Sequence, residues 1–363
     1  MVQFDEHTLQ KARREFANAR CVRSAGGILT AEAVPSATYA LLAPFRARAE
    51  ALALEVSSSS DDATHQTPYL FEFTLSRSVN AVAFELEHGH GIAIHYGLWI
   101  VMLRAFSAMF TSPGFFPEIG DPSRDEMRTA ETVEALRIVA TAMTGGASAP
   151  ESNITMSSCP VRRAATCVLA EMALDFTFFH EFTHIHGGHL DFLGKSLPGQ
   201  GMAELEALSP SDVLRARRAL ELDADMWASS LFTVLRHPDW KTPARRYLFG
   251  TPEAYLRAWV TAVDVVFRLF EFAIDPAAVR MAQSHPHPSV RRRFALIGLT
   301  ARADLDNTIG GERAEAAVRE AQRSVDTLWA SAQFARRAAQ HDVDEFSEMA
   351  DAHAEIFPRL VVR

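Results

Sequence analysis

From Leu98 to the C terminus the apolar residues of this chain recur every three to four positions, and before that only one stretch, 69–96, breaks the rhythm. A polypeptide patterned in this way must build its core from helices, because an apolar helical stripe is buried only against another helix or a sheet face. Helical spacing covers roughly 98–110, 123–143, 161–186, 211–236, 252–274, 288–301 and 312–355, with proline and glycine punctuation at 113–122, 144–160, 194–201 and 238–252. Two more helices are expected near 5–20 and 36–55, on either side of Gly26-Gly27. The exceptional stretch holds YLFEFTL (69–75), AVAFEL (81–86) and GIAIHY (91–96), short runs rich in β-branched and aromatic residues, with HGHG at 88–91 supplying turn glycines. The expected fold is α+β, mostly helical, with a small antiparallel sheet that includes a hairpin over 81–96.

The polar run SSSSDDATHQTP (57–68) reads as a linker. It suggests an N-terminal helical segment at 1–60, a central domain at 68–305 and a C-terminal helical extension at 306–363. The last helix, charged and rich in alanine, reads as a solvated packing helix. Acidic residues outnumber basic ones by 45 to 36, a formal charge of -9, and no Lys/Arg block interrupts that balance. A surface that tracks phosphates is therefore not expected, and nucleic acid is not an expected partner. Cys21, Cys159 and Cys167 are too few and too scattered for a disulfide framework or a cysteine-based metal site. The N terminus, MVQFDEHTLQKARREF, carries charge where an export signal carries its apolar core. The longest uncharged apolar run, Gly91 to Leu103, falls short of the ~20 residues a spanning helix needs, and 259–274 is interrupted by Asp264, Arg268 and Glu271. A cytoplasmic protein without a membrane span is the expectation.

One segment carries chemistry. His180-Glu181-Phe182-Thr183-His184 closes a helical stretch in which Leu169, Met172 or Ala173, Phe176 and Phe179 follow the helical period. Two histidines four apart project from one face of a helix and can bind one metal ion. Glu181, one step around, is set to take a proton from a water that the metal activates. With 14 histidines in 363 residues such a pattern can arise by chance, so context must supply a third ligand. ALELDADMWASSLF (219–232) does so: Glu221 and Asp225 are also four apart on a helix starting at Ser209-Pro210 or Ser211. Glu221 would complete a two-His, one-Glu set, and Asp225 would accept from the free ring nitrogen of a ligand histidine and fix its tautomer.

HEFTH followed by ELDAD resembles the HExxH and ExxxD pair of the gluzincin metallopeptidases over 161–236. Within that group HEFTHIHGGH and ELDADMWA look like the soluble Lit-type phage-exclusion peptidases, and like the helix pair of the membrane-bound heat-shock and prenyl-protein peptidases. The resemblance implies a zincin-like metallopeptidase core, one Zn2+ per chain on His180, His184 and Glu221, Glu181 as general base, Asp225 behind the ligands, and a protein or peptide substrate. It also bears on SHPHPSVRRRF (284–294), where His287-Pro288 followed by Arg293 is similar to a His-Pro-x-x-x-x-Arg segment of the membrane relatives. That similarity implies His287 as a donor to the transition state, with His285, two residues away, and Arg293 as further contacts. The physical need is real, since attack on a peptide carbonyl develops an oxyanion.

A third histidine in the pattern HExxHxxGxxH would fall at 190, which is Leu190; His189 is one residue off, and it and His186 read as polar loop residues near the site. GHLDFLGKS (188–196) spaces its glycines wrongly for a phosphate loop, and GHG at 89–91 lacks the third glycine of a dinucleotide fingerprint and reads as a hairpin turn. Neither Cys159 nor Cys167 has the flanking residues of a nucleophile. The same ligands could instead serve a non-catalytic zinc-binding regulatory or interaction protein. Glu181 favours the enzyme, because a purely structural metal site has no use for a carboxylate there.

Overall fold

The computed structural model describes residues 4–58, 67–125, 129–144, 154–194, 210–273, 285–305, 309–331 and 340–357. Most of the 57–68 run lies outside them. The elements in order are α1 (Glu6–Asn18), α2 (Arg20–Ser24), α3 (Ser36–Ser58), β1 (Tyr69–Thr74), β2 (Ala81–Leu86), β3 (Gly89–His95), α4 (Tyr96–Phe110), α5 (Thr129–Thr144), α6 (Pro160–His186), α7 (His189–Gly194), α8 (Pro210–Leu231), α9 (Pro243–Phe249), α10 (Pro252–Ala273), α11 (Pro288–Leu305), α12 (Gly311–Ser331) and α13 (Gln340–Ile356). The fold is α+β and mostly helical. No described helix is long and apolar enough to cross a membrane. The single helix expected over 312–355 is two described helices, α12 and α13, with 332–339 outside the described residues.

The described residues fall into two compact units. The first unit takes the chain up to Leu98 together with the segment from His180 through α7; the second takes Trp99–Phe179 and the elements from α8 to α13.

In the first unit the sheet is mixed, not antiparallel. Its order is β1-β3-β2, with β1 and β3 parallel and β2 and β3 antiparallel. The reason lies in burial. Every residue of β3 is buried, whereas β2 is half-exposed along its length, so β3 takes the centre and β2 the edge. The tight turn at Glu87-His88 then sends β3 back along β2, and the 75–80 link carries the chain past β3. Gly97 is what permits that passage: a Cβ there would lie 2.0 Å from the Arg77 carbonyl oxygen. The GHG at 89–91 is thus strand rather than turn. A Cβ on Gly91 would meet the Phe84 ring at 2.4 Å, so its bareness serves packing against α1. There Phe16 and Ala12 meet Val82, Phe84 and Leu86.

In the second unit α10 forms the centre of the core, with Trp259 stacked on Phe232 at 3.7 Å and edge-on to Phe176 of α6. A short π-helical stretch, Phe232–Arg236, continues α8 and presents Phe232 to that stack. Helices α8 and α11 pack closely enough that a Cβ on Gly298 would lie 2.2 Å from the Met226 carbonyl oxygen. Ser230 donates across the same crossing to the Gly298 carbonyl at 3.1 Å. At the start of α6, Arg162 is wholly buried and its guanidinium donates to five main-chain carbonyls of the 110–119 segment.

Candidate metal centre

The apolar period anticipated for α6 is the one it buries: Leu169, Met172, Phe176 and Phe179 are all closed from solvent. One turn further on, the same face brings His180 and His184 inside, 7% and 8% exposed. Their Nε2 atoms face each other at 3.1 Å. A tetrahedral zinc ion with Zn–N bonds of about 2.0–2.1 Å has ligand atoms about 3.3 Å apart, so the spacing fits two ligands on one ion. Glu181 is half-buried on the same turn. Phe182 packs edge-on against Tyr69 of β1 and stacks on His186, whose imidazole is held below its usual range by burial.

His189 is not a loop residue. The chain turns at Gly187-Gly188, with Gly188 at φ 71°, and His189 becomes the first residue of α7, fully buried. Its Nδ1 lies 3.0 Å from Nδ1 of His184, on the side of that ring away from His180. It does not join the ligand set.

On α8 the ELDAD carboxylates divide their tasks. Asp225 is wholly buried and receives a two-pronged hydrogen bond from Arg291 of α11, Nε to Oδ2 at 2.7 Å and the terminal nitrogen to Oδ1 at 2.9 Å. The same guanidinium lies 3.3 Å from Glu221 and rests over the Phe267 ring, which Phe176 meets edge-on from α6. His285 brings its Nε2 to 3.6 Å from Glu221. Asp223 turns away from this face to accept from His353 of α13 at 2.7 Å. The ring nitrogens of His180 and His184 and a carboxylate oxygen of Glu221 lie within 4.8 Å of one another, a donor set of two imidazoles and one carboxylate that suits zinc. A second such group among the described residues, Glu15, Glu87 and His88, is more open, and both Glu15 oxygens already accept from His88.

The remaining residues singled out from sequence also meet other partners. His287 caps α11: its Nδ1 accepts from the Ser289 amide at 3.3 Å and is 2.8 Å from the Ser289 hydroxyl, while its own amide donates to Glu345. Arg293 is exposed, with its guanidinium over Phe346. Arg291, missed in the sequence, is the arginine that meets Asp225 and Glu221. The signal was present, because HPHPSVRRR contains the spacing twice: His287-Pro288 with Arg293, and His285-Pro286 with Arg291. Both members of the second register are in reach of Glu221. No family model, curated protein or solved structure matches the chain.

Proposed function

We propose that the chain is a zinc-dependent endopeptidase that hydrolyses peptide bonds of a protein substrate inside the cell. The observation that carries the reading is the convergence of His180, His184 and Glu221, with Glu181 on the same helical turn as the two imidazoles. Zinc, when bound, would supply a Lewis acid and a readily deprotonated water. Glu181 accepts the proton of the attacking water and delivers it to the departing amide nitrogen. His285, largely exposed beside Glu221, donates to the oxyanion that grows on the scissile carbonyl, the role sequence similarity gave to His287. Arg291 fixes the Asp225 and Glu221 carboxylates, so that Glu221 presents its oxygen in one orientation. β2 is the half-exposed edge strand of the described sheet and offers its main-chain groups to an extended peptide, and Ala81 and Ala83 are small enough to let it approach.

The test is cleavage of a cytosolic protein extract by the purified chain and by Glu181→Gln, with the new N termini sequenced. The amide is nearly isosteric and cannot take the proton, so the variant should keep its zinc and lose at least about a hundredfold in rate. Equal cleavage by the variant would refute the enzyme reading.

A further inference from the structure

We propose that His189 is a positioning residue that holds His184 in the tautomer able to bind metal, an inference that rests on the zinc reading above. A histidine ring offers a lone pair at only one nitrogen while the other carries the proton. For the Nε2 atoms of His180 and His184 to serve one ion, His184 must keep its proton on Nδ1. Nδ1 of His184 faces Nδ1 of His189 at 3.0 Å, a hydrogen bond in which one ring donates and the other accepts. When His189 accepts, His184 presents a bare Nε2 toward His180. The reverse arrangement puts the proton of His184 on Nε2 and blocks the ligand.

Three features make this contact a built one. His189 has no exposed surface, and the rings meet edge to face with centroids 5.0 Å apart, so water cannot replace the partner. Its position depends on Gly187, where a Cβ would lie 3.0 Å from His189 Nε2 and 2.8 Å from the Thr183 carbonyl oxygen. The left-handed Gly188 then starts α7 so that its first residue returns to the ligand helix. Metal-ligating histidines usually lean on a carboxylate or a main-chain carbonyl. Here the imidazole of His189 takes that place for His184.

The experiment compares zinc affinity, measured by chelator competition, for the full-length wild type, His189→Phe and His189→Asn, alongside the melting temperature of each metal-free protein. Phe keeps the ring and loses the acceptor; Asn keeps an acceptor near the Nδ1 position and loses the ring. We expect His189→Phe to weaken zinc by about 10- to 100-fold with its metal-free melting little changed, and His189→Asn to restore most of the affinity. Wild-type affinity in His189→Phe, or an equal loss in both variants, overturns the proposal and leaves the zinc site standing. A wild type that binds no zinc removes the zinc reading and this inference together. Nitrogen-15 spectra of histidine-labelled, metal-free wild type give a readout that needs no variant to fold. His184 should carry its proton on Nδ1, and a proton on Nε2 contradicts the proposal.

Discussion

At the first turn of α6 Arg162 is sealed in the core with all five N–H groups directed at the carbonyls of Phe110, Ser112, Phe115, Phe116 and Ile119, at 2.9–3.1 Å, and Asp125 at 3.2 Å to balance its charge. At the last turns of the same helix His180 and His184 are almost as deeply buried, yet they turn their Nε2 atoms toward each other. Both ends bury polar groups, which is tolerated only when those groups have partners. At the first end the chain supplies every partner, and the result is a staple for the 110–119 segment, including Phe116 at the unusual φ of 45°. At the second end the two Nε2 atoms converge on a point, the place where we propose that zinc binds. Polar burial closed by the chain's own atoms marks architecture; polar burial that converges on a point marks a binding site.

The largest effect should come from breaking the first end. Arg162→Ala leaves five buried carbonyls without this donor and Asp125 without the guanidinium that balances its charge, and unfolding measurements should show a loss of roughly 3–5 kcal/mol. A variant as stable as wild type would mean that the staple is incidental. The mirror change at the second end should act mainly on the metal: His184→Ala should abolish tight zinc binding while costing the metal-free protein less stability than Arg162→Ala does, as compared by competition titration and calorimetry.

The next comparison sets two arginines of one run against each other. Arg291→Ala removes the two-pronged donor of the buried Asp225 carboxylate and should cost about 3 kcal/mol as well as weakening zinc. Arg293→Ala, at an exposed position over Phe346, should change stability by less than about 0.5 kcal/mol and leave zinc affinity alone. Equal effects would show that the HPHPSVRRR segment does not discriminate between its two registers. Between these two effects, Gly298→Ala should destabilise by about 1–3 kcal/mol, because the added methyl meets the Met226 carbonyl and pushes α11 from α8. Chemical denaturation of that variant checks the figure.

How much of this was written in the sequence differs between the same two regions. The HExxH spacing and the apolar period of α6 give the face and the burial of His180 and His184 directly, because a helix converts spacing into geometry. ELDAD locates Glu221 for the same reason. Partners that come from another element are not legible this way. Arg291 was hidden behind a duplicated spacing, and the fully satisfied Arg162 looked like any basic residue at a helix start. His189 was misread because a one-residue shift from the three-His pattern rules it out as a ligand while leaving it free to back one. The sheet was misread for a related reason: the strands could be recognised locally, but that β3 is central, and so parallel to β1, follows only from its complete burial.

The most direct measurement is anomalous diffraction at the zinc edge from crystals of the wild-type protein grown with zinc. The account predicts one strong peak bounded by His180 Nε2, His184 Nε2 and a Glu221 oxygen, lost in Glu221→Ala. No peak there, or zinc held instead by Glu15, Glu87 and His88, would contradict it.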